Sequence, residues 1–382
     1  MSRITNTNTY CPLPWVHKFV LPTGDEIPCC SYKDKNHLSS FSHIKNKMLN
    51  GKKVDGCSRC YENEKVGIKS MRQDSIEKYG ITTHNHLKSL EVAFDNICNF
   101  KCRSCSSMHS HLIRKDETLI YGQSLFKEKL LGHDLQDKIN YKNLEKFKVH
   151  GGEPLISPKF NSFCKKLYTE GNVSTLDIDI TTNGSVIPNE SVCRLIESVF
   201  NLTINISIDG LGDLNNYIRT LSKWEEISSN LDFFDGLIDI RKDKRTNINI
   251  HTTVSIYNVN KLHELDNFIY EYFPRFSLTK QCVSYPESLA INNLPSDYKE
   301  LIRPYLENYK DVEKFLLKEP SAPFDYCAYI IVSLDNLRNT TLEGKNNLLF
   351  EYLQKFLNES YDENTSLEYH DKVKDRIENK KI

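Results

Sequence analysis

The sequence has no apolar run long enough to cross a bilayer. The longest, such as Ala328 to Leu334, fall well below the roughly 18 to 20 residues that a spanning helix needs. The stretch from Met1 to Val20 lacks the apolar block of a signal peptide, so a soluble, cytoplasmic protein without a membrane partner is expected. There is almost no net charge: 50 Lys and Arg against 51 Asp and Glu leave −1. No global field therefore recruits nucleic acid or an acidic membrane surface, and no nucleic-acid partner is expected. Only 15 glycines, without a fixed period, exclude collagen-like or low-complexity character. No internal repeat is visible. At 382 residues, 39% hydrophobic and 26% charged, the chain has the size and composition of one main globular domain with additions.

Cysteine, in contrast, is abundant. A reducing cytosol disfavours structural disulfides, so twelve cysteines point to metal or cluster ligation. Eight fall in the first 105 residues: Cys11, Cys29, Cys30, Cys57, Cys60, Cys98, Cys102 and Cys105. Cys164, Cys193, Cys282 and Cys327 are scattered among apolar neighbours and are expected to act as small buried hydrophobes.

From residue 89 onward, short apolar runs alternate with segments of helical period, the pattern of a parallel sheet built from βα units. Strands are expected at Leu90–Phe94, Phe147–Val149, Leu176–Thr181, Leu202–Ile208, Ile248–Ile256 and Leu278–Val283. Helices are expected at Met108–Lys115, Pro158–Glu170, Asn189–Phe200, Trp224–Phe234 and Val259–Tyr272. Six units suit a partial (β/α)6 TIM-like barrel of the α/β class better than a closed eight-stranded one. Residues 1–88 lack this rhythm and read as a small cysteine-rich unit held by its ligands rather than by a core. The barrel takes 89–285. Residues 286–382 read as a mainly helical extension through Ser296–Leu317 and Asn346–Phe356, with Asp371–Ile382 as a charged, solvated end.

Two elements carry chemistry. Cys98-Asn-Phe-Lys-Cys102-Arg-Ser-Cys105 sets three thiols in a loop directly after the first strand of this pattern. Three thiolates hold three corners of a 4Fe–4S cube and leave one iron open, whereas zinc needs a fourth ligand; both readings are physically sound. His150-Gly151-Gly152-Glu153-Pro154 ends the second strand, where two glycines allow a ligand close approach to the backbone. Alone it reads as a tight turn.

Together these residues resemble the radical S-adenosylmethionine (SAM) enzymes, with C-x3-C-x2-C after the first strand and GGE(P) after the second. The resemblance implies that Cys98, Cys102 and Cys105 ligate a 4Fe–4S cluster whose open iron is chelated by SAM. It also implies that Gly151, Gly152 and Glu153 receive the methionyl amino group. Asn183-Gly184 follows the third strand, and Ser207-Ile-Asp209-Gly210 ends the fourth, with Arg219 twelve residues beyond Ser207. In peptide-modifying members such residues contact the ribose and carboxylate of SAM, roles the resemblance passes to Ser207 and Arg219, with Asn183 in the same site. Ser104 stands where many members carry an aromatic residue near the adenine.

Cys11, Gly24 and Cys29, closed by Cys57-x2-Cys60, resemble SPASM/twitch domains, here placed before the barrel rather than after it. Cys60-Tyr-Glu-Asn-Glu-Lys-Val-Gly67, running on to Ser70 and Arg72, fits the same likeness. It implies a second, auxiliary 4Fe–4S cluster on Cys11, Cys29, Cys57 and Cys60. A four-thiolate zinc site is the alternative, and Cys30 is either an alternate ligand or a neighbour. The implied activity is reductive cleavage of SAM to a 5′-deoxyadenosyl radical and hydrogen abstraction, with an external reductant such as flavodoxin or ferredoxin. Oxidative modification of a peptide or protein is the first expectation. A carbohydrate or small polar metabolite as substrate is the second, and a non-catalytic iron–sulfur carrier or scaffold the third. Tyr326 and Tyr329 are expected in a core or interface rather than a substrate channel.

Overall fold

In a computed structural model that describes residues 8–33, 40–65, 67–126 and 141–379, the chain builds one eight-stranded sheet. The strands are β1 (His17–Val20), β2 (Glu26–Ile27), β3 (Ser89–Val92), β4 (Lys146–Val149), β5 (Asp177–Thr182), β6 (Asn201–Ser207), β7 (Arg245–Val254) and β8 (Ser277–Cys282). Their order is β2-β1-β3-β4-β5-β6-β7-β8, and every pairing is parallel except β1 with β2. Neither β2 nor β8 closes the ring, so the architecture is a partial, TIM-like α/β barrel.

The six strands expected from the alternating pattern are all present, because that alternation separates two environments. On β6, Leu202, Ile204 and Ile206 are buried, while Asn201, Thr203, Asn205 and Ser207 are partly accessible on the other face. The apolar face meets Phe160, Phe163 and Leu167 of helix Pro158–Glu170, Val192 and Leu195 of helix Glu190–Ser198, and Ile227 and Leu231 of helix Trp224–Ile240. The polar face is a hydrogen-bonded ladder: Asn205 donates to Asp179 at 2.6 Å and Asn249 donates to Asn205 at 2.9 Å. Burying those amides and carboxylates without each other would cost stability, so the ladder fixes which side of each strand faces inward.

β1 is the main departure from expectation. Residues 8–88 contribute it to the same sheet, in register His17↔Ser89 to Val20↔Val92, and they pack a core of their own around Tyr10, Leu13, Trp15, Phe19, Ile44 and Met48. Val66, within the twitch-like stretch, lies outside the described residues. The helix expected at Met108–Lys115 lies at Arg114–Tyr121, because Ser110 and the turn before it bond back to Phe100 and Asn96 instead of winding onward. The helical extension is present and includes helix Phe324–Arg338, whose Phe324, Cys327 and Ile331 enter a second core. The end expected to be solvated is helical over Glu363–Asn379; residues 380–382 lie outside the described residues. His370 anchors it by stacking on Tyr121 at 5.4 Å. Tyr326 is 2% exposed in that interface, and Cys164 and Cys327 are fully buried, as expected of each. Cys193 and Cys282 are half-buried. Among the described residues no helix is long and apolar enough to cross a membrane.

Candidate functional site

The loops after β3, β4, β5 and β6 meet at the C-terminal ends of the strands, the end where barrel folds gather reactive groups. Cys98, Cys102 and Cys105 lie on the first. Burial, then the neighbouring Cys102, pushes the Cys98 thiol up to about 12. Cys105 is held well above the ordinary thiol range by burial and by Cys102 and Cys98, so the three groups share one electrostatic neighbourhood. Burial also raises Cys102, which the Arg219 guanidinium opposes with Nη1 3.8 Å from its Sγ.

The Gly151-Gly152 turn lies against this loop. Both glycines have positive φ, +83° and +58°, and a Cβ on Gly152 would stand 2.5 Å from the Ile97 carbonyl oxygen, directly before Cys98. The turn therefore fits the loop only without side chains. Glu153, fully buried, accepts hydrogen bonds from the Asn183 backbone N–H at 2.7 Å, Thr182 Oγ1 at 2.8 Å and the Leu155 N–H at 3.0 Å. Its carboxylate thus ties the end of β4 to the end of β5. Asn183 continues the tie by donating to Asn99 Oδ1 at 2.8 Å, inside the cysteine loop. Ser207, at the end of β6, is level with His251 on β7. Arg219 follows, with Nε 2.9 Å from Asp209 Oδ2, and Asp209 is in turn held by the Thr253 N–H at 2.8 Å. His109 also lies against the turn: its Nδ1 is buried without a hydrogen-bond partner and would lie 3.3 Å from a Cβ on Gly151. Burial, with His150 beside it, pushes His109 down to about 4 and keeps it neutral.

The second cysteine set is also drawn together. Cys11 and Cys60 are buried, Cys29 and Cys57 half-buried. Burial and then Cys57 and Cys60 push Cys11 up to about 12, and Cys29 is raised by burial, Cys30, Cys11 and Cys57. Arg72 offsets part of this at Cys11 and Cys57, while its side chain bonds the Tyr10 carbonyl at 2.9 Å and pairs with Glu64 at 2.5 Å. Cys30 turns the other way. Cys30 is exposed as a residue, but its neighbours are Glu91 and Lys148 on the inner face of the barrel, and desolvation there, followed by Glu91, raises its thiol. Glu91 also accepts from His150 Nε2 at 2.8 Å and lies 3.1 Å from Lys148 Nζ and 3.5 Å from His17 Nε2. No motif in the sequence marks this cluster, because His17, Glu91 and His150 come from three strands or strand ends whose adjacency depends on β1.

Both cysteine sets fit iron–sulfur ligation in their chemistry. Burial raises the Cys11, Cys29, Cys57, Cys98, Cys102 and Cys105 thiols, so a bound cation that replaces the proton is what makes ligands of these six. Among the described residues no three His, Cys, Asp or Glu side chains are gathered closely enough for a single metal ion. A cube takes each thiol at a different iron, so its ligands surround a volume rather than a point.

No family model matches the sequence. Curated relatives are the GTP 3′,8-cyclase of Sinorhizobium medicae, 27% identical over 150 residues, and that of Campylobacter jejuni, 25% identical over 185 residues. The matches cover 39% and 48% of this chain and 40% and 51% of the relatives, so the chain spans about half the length of the curated proteins it matches. Similar solved structures include native anSMEcpe with bound AdoMet, with TM-score 0.37, 18% identity, and 59% of this chain and 61% of that one covered. Another is Streptococcus suis SuiB bound to the precursor peptide SuiA, with TM-score 0.36, 14% identity, and coverage of 67% and 60%. The cysteine loop, the Gly-Gly-Glu strand end and the cyclase relatives support a likeness of this chain to the radical SAM superfamily of enzymes.

Proposed function

We propose that the protein cleaves SAM reductively and uses the resulting radical to abstract hydrogen from a peptide or protein substrate, which leaves oxidised. The observation that carries this reading is the tie between loops. Asn99 to Asn183, Gly152 against Ile97 and Arg219 against Cys102 lock three strand ends around one group of thiols. In this reading Cys98, Cys102 and Cys105 hold a 4Fe–4S cluster with one iron left for SAM. When bound, the cluster supplies the electron that splits SAM into methionine and a 5′-deoxyadenosyl radical. The chain's own work is binding, orientation and exclusion of water. The Gly151-Gly152 turn presents backbone groups to the methionyl end, and Glu153, which accepts three internal hydrogen bonds, holds the turn in place with acceptor capacity left for the amino group. Ser207 and Arg219 face the rest of SAM from the far side. Cys11, Cys29, Cys57 and Cys60 would hold the auxiliary cluster, which would supply an acceptor for the electron of the substrate radical left by hydrogen abstraction. Flavodoxin or ferredoxin supplies the starting electron.

A polar inner face with amide and carboxylate groups suits a substrate rich in hydrogen-bonding groups, as a peptide backbone is. A small polar substrate is the second reading, favoured by the named activity of the cyclase relatives. The test is anaerobic reconstitution, strong reductant and SAM, with 5′-deoxyadenosine measured alone and with added GTP. Slow release without substrate and no acceleration by GTP are expected. Acceleration by GTP moves the substrate to the small-molecule reading. Cluster-loaded, SAM-bound protein that never releases 5′-deoxyadenosine makes it a scaffold.

A further inference from the structure

The cysteine loop is gripped from a part of the chain that contributes no thiol to either cysteine set. Arg338, at the end of helix Phe324–Arg338, donates from Nη1 to the Lys101 carbonyl at 2.7 Å and to Thr220 Oγ1 at 2.9 Å, and from Nε to Asp116 Oδ2 at 2.9 Å. Lys101 Nζ meets the other oxygen of Asp116 at 2.8 Å. One turn earlier, Asp335 accepts from Arg103 Nη2 at 2.5 Å and from the Tyr217 hydroxyl at 3.2 Å. The Arg103 guanidinium is wholly buried, stacked 3.7 Å over the Tyr217 ring.

These contacts bind two segments at once. The loop pairs through its backbone with the segment that carries Arg219: Lys101 N–H donates to Thr220 at 2.9 Å and Arg103 N–H donates to Ile218 at 2.8 Å. Arg338 and Asp335 each touch both partners of that pairing. Arg219 in turn faces the Cys102 sulfur. The Arg338 side chain is 4% exposed and that of Asp335 19%, so solvent screens the guanidinium little and the carboxylate only in part, and both charges reach the sulfur ligands mainly through protein. The potential of an iron–sulfur cluster follows its net charge, the hydrogen bonds to its sulfurs and its exposure.

We propose that Asp335 and Arg338 are positioning residues for the SAM-binding cluster, by which the C-terminal extension sets both the seating of the cysteine loop on the Arg219 segment and the reduction potential of that cluster. The inference rests on the cluster reading given above and deepens it. The two residues carry opposite charge into the same clamp, which gives the test its sign. Arg338→Met removes a cation that stabilises the more negative, reduced cluster, so its potential falls. Asp335→Asn removes an anion, so the potential rises. Arg338→Lys keeps the charge and stays near the parent potential, but loses the fork that spans Lys101 and Thr220.

The experiment is anaerobic redox titration of the full-length reconstituted protein, following the electron paramagnetic resonance signal that changes on adding SAM, with iron counted per chain. Expected are full iron in the variants, shifts of opposite sign for Arg338→Met and Asp335→Asn, and a weakened SAM-induced spectral change in Arg338→Met. Fully loaded variants with unchanged midpoints, or with shifts of the same sign, overturn the proposal. Should Arg338→Met fail to fold, Arg338→Lys and Asp335→Asn carry the same contrast, an unchanged against a raised midpoint. A parent protein that takes up no iron on the Cys98 loop overturns the cluster reading itself, and this inference with it.

Discussion

Replacing Gly152 by Ala tests whether the Gly-Gly turn is built around the cysteine loop. The new Cβ would sit 2.5 Å from the Ile97 carbonyl oxygen and 3.2 Å from its carbonyl carbon and its nitrogen. All three are backbone atoms, so no side chain can swing aside. A residue with a Cβ at the φ of +58° costs about 1 kcal/mol before any contact is counted. The Ile97 oxygen also accepts the Glu153 N–H at 2.8 Å. Moving it away breaks a buried bond worth about 1 kcal/mol net. The expected loss is therefore at least about 2 kcal/mol, with Cys98, the next residue, displaced along with Ile97. Gly122→Ala is the control: its φ is +77° and nothing lies within 4 Å of the added Cβ, so it bears only the conformational cost of about 1 kcal/mol. Urea unfolding under anaerobic, reducing conditions measures both. Gly152→Ala should also lose the spectral response of the cluster to SAM, while Gly122→Ala keeps it. Equal destabilisation by the two substitutions would refute the close approach of turn to loop.

Reconstituted protein should carry about eight irons per chain from two four-iron clusters, and replacing Cys98, Cys102 and Cys105 together by Ala should halve the iron found by elemental analysis. Native protein with zinc at the amino-terminal set would contradict the auxiliary-cluster reading. Cys57→Ala with Cys60→Ala should leave SAM binding and slow 5′-deoxyadenosine release while abolishing substrate product. Full product formation by a folded variant would make that set structural. His109, held down at about 4 against an ordinary 6.5, gives a pH signature. Between those two values the unfolded chain binds the proton and the folded chain does not, so stability falls as pH drops through that window. The loss attributable to this group between pH 7 and pH 5 is about 2 kcal/mol. His109→Gln should flatten the dependence of urea unfolding by that amount, and an unchanged slope rules out a buried neutral His109.

The barrel strands were legible because each alternates between an inner polar and an outer apolar environment over enough residues to show, as Asn201–Ser207 does. β1 was not. Its four residues follow Trp15 and Val16 without a turn signal, and its partner β3 lies some 70 residues along the chain, where no local pattern reports it. The thiols and the Gly-Gly turn stood out by spacing, since a loop that wraps a ligand concentrates its signal in a few residues. Glu153 shows the limit of that. Its position in the motif suggests a ligand contact, and its three internal hydrogen bonds add a task that no motif reports, joining β4 to β5. Arg338 and Asp335 were invisible for another reason: they meet the cysteine loop across more than 230 residues of sequence, through a helix apolar on most sides that reads as plain core. The charged tail keeps the solvated surface its composition suggested, with no residue of 371–378 buried, but it is helical, and Tyr369 and His370 just before it rest on Tyr326 and Tyr121.

The lateral bond between β1 and β3 bears on how the chain can be divided. A fragment beginning at residue 89 would strip the neighbour from β3 and bare a row of strand amides and carbonyls at the rim of the barrel, including the Ala93 N–H now bonded to Val20. An uncovered parallel edge of that kind recruits other chains, so such a fragment should self-associate rather than behave as a free barrel. The same pairing joins the segment that follows Cys11 directly to the strand that precedes Cys98. The separation between the two sets is then a property of sheet geometry, unaffected by the length or stiffness of the connecting segment from Gly80 to Lys88.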